Sequence, residues 1–256
     1  MKKFCLSLVI LLLVLVLGQS SLAMDNTLRR IRVPILMYHY ISELPPHADE
    51  IRRNLTLSPA IFEAHLQYLS DNGYQTVTLE MLDLALTTGY PLPERAVVLT
   101  FDDGYIDHYQ TVFPALQKFG FVGTFFLVSG RIDHHDPAYL SWDQANEMRM
   151  AGMEMSPHTK THLGLVGRDY DFLLYEILGS LESVQSHTLS TNQFFAYPAG
   201  QYDPFTLEVL QHIGITRAVT TQMGNLHTTD NRYEMSRLRI NHDTSVAGLA
   251  YLLQLK

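Results

Sequence analysis

Thr100-Phe101-Asp102-Asp103-Gly104 sets two adjacent carboxylates where an apolar run gives way to a glycine turn. Neighbouring acids repel one another, and a cation close by is the simplest way to keep both ionised at the edge of a core. A solvated Asp-Asp-Gly turn would need no cation, so this segment alone does not decide the matter. His158-Thr159-Lys160-Thr161-His162 spaces two imidazoles four residues apart. A helical turn there would place them side by side, roughly 5–6 Å between Cβ atoms. Two histidines and one carboxylate form a three-ligand set with a position left for water, the arrangement that catalytic zinc uses. Unlike the zinc-protease motif, no Glu follows the first histidine, so a general base must come from elsewhere, and Asp102 is the evident candidate.

The elements that must position these groups alternate along the chain. Val33 to Tyr38 reads as a buried strand, and Ser58-Pro59 opens a helix that Gly73 closes. A strand is expected over Gln75 to Thr78, a short helix over Leu79 to Thr87 and a fully apolar strand over Ala96 to Phe101. Thr111 to Phe119 reads as a helix and Gly123 to Val128 as a strand; Ser141-Trp142-Asp143-Gln144 is a capping box for a helix reaching Ala151. Strands at Met153 to Met155, Phe194 to Ala196, Arg217 to Thr221 and Leu238 to Ile240, with helices at Tyr170 to His187 and Pro204 to His212, complete the pattern. About seven alternations without a long break predict a parallel α/β arrangement in one domain, closed as an irregular barrel or open. Asp102, His158 and Pro198 each follow a predicted strand, where such a barrel gathers its reacting groups at one rim.

Taken together, the two motifs resemble T-F-D-D-G and H-[ST]-x-x-H of the polysaccharide deacetylases with a NodB homology domain, carbohydrate esterase family 4. Both are present without substitution and in the family order. The resemblance implies an irregular (β/α) barrel in which Asp103, His158 and His162 bind a divalent metal, Zn2+ before Co2+ or Ni2+, and Asp102 is the general base. Phe195-Ala196-Tyr197-Pro198-Ala199-Gly200 looks like a third family motif and implies that Tyr197, Pro198, Ala199 and Gly200 line the substrate or the oxyanion hole. Family members commonly carry an arginine that orients the base where Ala196 stands here, which leaves open how Asp102 is held. Pro34-Ile35-Leu36-Met37-Tyr38-His39 resembles the branch of biofilm poly-N-acetylglucosamine deacetylases. In that branch the barrel is circularly permuted and His39 would be the general acid. Asn241-His242-Asp243 looks like the late His-Asp motif of unpermuted members and makes His242 the rival. The resemblance spans Ile31 to Ser245, so a deacetylase domain is expected over 31–253. Its implied activity is removal of N-acetyl groups from N-acetylglucosamine units of a polysaccharide, exported poly-N-acetylglucosamine first. Peptidoglycan and chitin oligomers are the alternative substrates, and a non-catalytic carbohydrate-binding or export-assembly protein is the alternative from another class.

Several other residues have plainer roles open to them. Trp142 would either stack on a sugar face or fill the core. His65 shares a helix face with Ile61, Phe62, Leu66 and Leu69 and reads as packing. His108 lies close after the Asp-Asp-Gly turn, His134 and His135 read as polar loop, and His47, His187, His212 and His227 follow no pattern. Lys2 and Lys3, the apolar run Phe4 to Leu17 and the small residues Ser21-Leu22-Ala23 read as a secretory signal over 1–23. An exported protein is expected, secreted, periplasmic or at the cell surface, with membrane association if the signal is retained. The only cysteine, Cys5, falls within that signal, which excludes thiolate sites from the mature chain. The net charge of -8 argues against a nucleic-acid partner, since phosphate binding calls for a basic surface.

Overall fold

Six consecutive buried residues, Ala96–Phe101, form the strand around which the sheet is built. In the computed structural model, residues 27–255 are described; the signal expected over 1–23 lies outside them. The main-sheet strands are β1 (Ile35–Tyr38), β2 (Gln75–Thr76), β3 (Ala96–Phe101), β4 (Thr124–Leu127), β5 (Glu154–Pro157), β6 (Phe194–Ala196), β7 (Arg217–Met223) and β8 (Met235–Arg239). All their pairings are parallel. The order is β5-β4-β3-β1-β8-β7-β6, and the short β2 lies beside the start of β3. Seven strands therefore curl into a nearly closed barrel, with β1 hydrogen-bonded between β3 and β8. At the seam between β5 and β6, side chains replace the ladder. The His158 Nδ1–H donates to the Ala196 carbonyl at 2.7 Å and Ser190 Oγ donates to the Met155 carbonyl at 3.1 Å.

The two-residue period of a strand decides which side chains enter the barrel. Ala96 and Val98 pack with Ile35, Phe126, Ala196, Val219 and Met235 in one apolar cluster, the interior. Val97, Leu99 and Phe101 pack outward with Leu36, Tyr38, Phe125, Leu127 and Leu238 against the surrounding helices. Counting on by twos, the interior positions after Val98 are Thr100 and Asp102, after Ile35 they are Met37 and His39, and after Met235 they are Arg237 and Arg239. On β5 the same parity runs Glu154, Ser156, His158. The strand alternation thus carries a carboxylate, two histidines and two arginines to one end of the barrel.

The other end is stopped by the helix Leu79–Thr88, whose Leu79, Leu82 and Leu86 join the interior cluster. Buried Glu154 accepts from the Leu79 and Glu80 N–H groups at 2.9 Å each, and from the Thr124 hydroxyl. The strand expected at Leu238 begins three residues earlier, and the helix expected from Thr111 opens with a π-helical turn at His108–Val112. The helix Glu50–Leu55 and the small pairs Arg30–Arg32 with Leu226–Thr228 and Tyr40–Ile41 with Thr56–Leu57 are too short to leave a periodic signal. Among the described residues no helix is long and apolar enough to cross a membrane.

Replacing Glu154 strands two helix-end donors and a hydroxyl in the interior, at about 1–3 kcal/mol for each buried group left unpaired. Denaturant unfolding of Glu154→Ala is expected to show a loss of about 2–5 kcal/mol, whereas the exposed Glu80→Ala should stay within about 0.5 kcal/mol of the parent.

Candidate active site

Asp102 ends the interior parity of β3 and is 2% exposed. Arg237, wholly buried on β8, grips it with a two-pronged pair: Nη1–H donates to Oδ1 and Nη2–H to Oδ2, both at 2.7 Å. Two further guanidinium donors are used, Nε–H on the Thr220 carbonyl at 2.9 Å and Nη1–H on Thr100 Oγ1 at 3.1 Å. Burial by itself would raise the Asp102 carboxyl, but the charge and hydrogen bonds of Arg237 outweigh it and hold the group below the ordinary 3.8. This settles the question opened by Ala196. Ala196 faces the interior cluster with its methyl group and offers only its carbonyl, while the orienting arginine comes from another strand. Sequence reading missed Arg237 because it placed the strand start at Leu238. Two arginines at strand spacing, Arg237 and Arg239, after the apolar Met235 are the available signal.

Asp103 has the opposite parity and would face outward on a regular strand. Left-handed backbone at Asp103 (φ 81°) and Gly104 (φ 80°) turns it back over the rim. Glycine suits position 104 because of its positive φ, and a Cβ there would crowd Leu127 Cδ2 at 3.0 Å. Asp103 Oδ1 then lies 3.3 Å from His158 Nε2 and 3.2 Å from His162 Nε2.

The two histidines do not share a helical turn, contrary to the reading from their spacing. Residues 158–162 form a loop with Thr159 and His162 in left-handed backbone, both at φ 65°. Buried Glu176 accepts from the N–H groups of Lys160 and Thr161, at 3.0 and 2.9 Å, and from the Thr161 hydroxyl. Thr159 Oγ1 accepts from the His162 N–H at 2.9 Å. The rings end 4.9 Å apart, edge to face.

Asp103, His158 and His162 form a group able to hold a metal ion, with their ligand atoms within 4.8 Å of one another. Two bonds of 2.0–2.1 Å at a tetrahedral angle leave ligand atoms roughly 3.3 Å apart, which matches both Asp103 separations. Asp103 Oδ1 is buried and has no hydrogen-bond partner among the described residues, whereas both oxygens of Asp102 are held by Arg237. The His158 Nδ1–H is committed to Ala196, which leaves the Nε2 lone pair facing Asp103. The donor set fits a divalent ion.

The family is now identifiable from comparison. Residues 89–218 match the family model described as polysaccharide deacetylase. YxkH of Bacillus subtilis (strain 168), named only provisionally as a polysaccharide deacetylase, is 33% identical over 226 residues, 88% of this chain and 77% of that protein. The chain belongs to the polysaccharide deacetylase family. The structure of the Streptococcus pyogenes deacetylase PplD in complex with acetate is similar at a TM-score of 0.82 and 28% identity, covering 89% of this chain and all of that one. The poly-β-1,6-N-acetyl-D-glucosamine N-deacetylase of Escherichia coli (strain K12) is 27% identical over 216 residues, 68% of this chain. That alignment spans only 32% of the longer relative.

Within this deacetylase, His39 Nε2 lies 3.9 Å from Asp102 Oδ2, and burial pushes the imidazole down to about 4. Buried His108 bonds the His39 carbonyl through Nε2 at 2.7 Å, behind the site. His242 is not in this group; it lines a separate cavity with Asn54, Arg239, Asn241 and Asp243. Tyr197 departs from its expected place at the substrate, because its side chain is buried in the outer cluster and its hydroxyl donates to the Tyr233 carbonyl. Pro198 is buried, and Ala199 (φ 54°) and Gly200 (φ 70°) turn the chain. The N–H groups of Tyr197 and Gly200 are used internally, whereas that of Ala199 meets no acceptor among the described residues. Trp142 is a packing residue: its ring stacks on His187 at 4.5 Å and its Nε1–H donates to Asp133. His65 is buried between the Tyr38 hydroxyl and the Thr244 carbonyl.

Removing the guanidinium leaves a buried carboxylate uncompensated, so Arg237→Ala is expected to cost about 3–5 kcal/mol at pH 7 in denaturant unfolding. Arg237→Lys should cost less but still lose the fork. Because the folded-state value lies below 3.8, the contribution of the pair is present above about pH 4 and lost as pH falls through the folded value. The gap between parent and Arg237→Ala should therefore narrow in acid.

Proposed function

We propose that the enzyme removes N-acetyl groups from N-acetylglucosamine units of an exported polysaccharide, poly-β-1,6-N-acetylglucosamine first, with a Zn2+ ion on Asp103, His158 and His162. The observation that carries this reading is one buried carboxylate oxygen, without a hydrogen bond among the described residues, facing two imidazoles beside a second carboxylate whose two oxygens each accept from an arginine. The E. coli relative's named substrate supports the choice of polymer. Export rests on the apolar run Phe4 to Leu17 behind Lys2 and Lys3.

When bound, a divalent ion at these residues supplies Lewis acidity, which brings the pKa of water toward neutrality and polarises the acetamide carbonyl. Asp102, ionised and fixed by Arg237, takes the proton of the attacking water through a lone pair that the arginine leaves free. The Ala199 N–H faces the oxygen on which negative charge develops. His39 starts neutral, because burial depresses it to about 4. It receives a proton from Asp102, 3.9 Å away, and passes it to the amine as the C–N bond breaks. Acetate and a free glucosamine unit are the products.

Acetate release from N-acetylglucosamine oligomers tests these roles. Asp102→Asn and His39→Ala are each expected to lower kcat by about 10²–10⁴ with the fold retained, while His242→Ala keeps the catalytic step. His158→Ala should lower Zn2+ affinity in equilibrium dialysis by at least tenfold, since one of three ligands is gone. Activity of Asp102→Asn at the parent's level would contradict the assignment, and faster release from peptidoglycan or chitin oligomers would replace the polymer proposed.

A further inference from the structure

His39 lies beside Asp102, yet no hydrogen bond to another described residue holds its ring. Its Nδ1 is buried without a partner among them, and its Nε2 lies 3.9 Å from Asp102 Oδ2. The place of the imidazole therefore depends on the backbone that carries it. The last paired residue of β1 is Tyr38, opposite Phe101, and its carbonyl accepts from the Asp102 N–H at 3.0 Å. The carbonyl of buried His39 comes next, beyond the paired residues, and leaving it without a donor would be unfavourable. His108 supplies that donor, its Nε2–H meeting the His39 carbonyl at 2.7 Å.

The His108 ring is wholly buried and packs against Phe125, Phe101 and Tyr105, with centroids 5.6, 5.8 and 6.0 Å away. A phenylalanine would fill such a space, and Nδ1 of the imidazole has no partner among the described residues. What the imidazole adds is the N–H at His39, since a carbonyl only accepts and Nε2 must carry the hydrogen. His108 also opens the π-helical turn His108–Val112, an irregularity that recurs at functional sites. The same short segment grips the residues that follow His39. Tyr105 stacks on Tyr40 at 3.7 Å, and Asp107 Oδ2 accepts from the Ile41 N–H at 3.2 Å. One stretch of chain, Asp102 to His108, thus carries the base and holds Tyr38 to Ile41, where the acid lies.

We propose that His108 is a positioning residue for the general acid: through the His39 carbonyl it fixes the backbone that keeps the His39 imidazole beside Asp102. The proposal rests on the deacetylase reading above, with His39 as its acid. Asp107 braces the same backbone two residues further on. Neither side chain meets the substrate or the metal ligands, so the loss of either falls on proton delivery and leaves substrate and metal binding alone.

Acetate release from N-acetylglucosamine oligomers by His108→Phe, which keeps a ring and loses the donor, tests it. A displaced catalytic group costs up to about 10²-fold, so kcat is expected to fall by about 10- to 100-fold. KM and Zn2+ affinity in equilibrium dialysis should stay within about twofold of the parent. His108→Gln, whose amide N–H has a similar reach, should recover most of the lost kcat. In a His39→Ala background His108→Phe should change kcat by less than about twofold, because the residue it positions is gone. Where His108→Phe does not fold, Asp107→Ala carries the same test, a fall in kcat that the His39→Ala background abolishes. A parent-like kcat in the variant, or an equal loss with and without His39, would overturn the proposal while leaving the deacetylase reading intact. Parent-level release by His39→Ala alone would remove the acid role and the proposal with it. No release by the parent from any acetylated glucosamine substrate would overturn the deacetylase reading itself.

Discussion

A carboxylate placed inside a barrel of apolar side chains is unstable as an ion unless something pays for its desolvation, and here that partner is Arg237. The pair is buried on both sides, and its geometry uses both carboxylate oxygens and all three guanidinium nitrogens. Because Thr100 lies on β3 and Asp102 directly follows it, while Thr220 and Arg237 belong to β7 and β8, the same side chain ties three strands across the interior. The division of labour between two adjacent aspartates follows from it. Each oxygen of Asp102 accepts from Arg237, whereas Asp103 Oδ1 has no hydrogen-bond partner among the described residues and is the oxygen that faces the two imidazoles.

The rest of the site is assembled by two simple rules and one exception. Parallel strands with a two-residue period bring His39, Asp102, His158 and Arg237 to the inner face at the rim. Loops after strand ends supply what the period cannot reach, held by buried acceptors such as Glu176. The exception is Asp103, whose positive φ reverses the direction that alternation would give it. A left-handed non-glycine residue costs about 1–3 kcal/mol, and such residues cluster at functional sites; Asp103, Thr159, His162 and Ala199 all surround this one.

Much of this was legible in advance, and unevenly so. The alternation of apolar runs with helix signals indicates a parallel α/β arrangement of about seven strands, closed or open, and the family resemblance adds the barrel. The Asp-Asp-Gly and His-x-x-x-His segments were visible because both motifs are local. Arg237 was not visible, since its relation to Asp102 spans 135 residues and depends on strand register. The side-chain directions of Tyr197 and Trp142 were equally hidden. Each sits in a recognisable segment, but only tertiary packing turns Tyr197 toward Tyr233 and Trp142 toward His187. The four-residue histidine spacing suits a helical turn, whereas Glu176, from the helical segment that follows, stabilises a loop with the same outcome for the imidazoles.

The most direct test of the central claim, that Arg237 reserves Asp102 and leaves Asp103 to the cation, is a crystal structure of the Zn2+-loaded protein with the ion located by anomalous scattering. The account predicts one ion about 2.0–2.2 Å from Asp103 Oδ1 and from Nε2 of His158 and His162, with Asp102 still paired to Arg237. An ion coordinated by Asp102, or an Arg237 that has let go of it, would contradict the account.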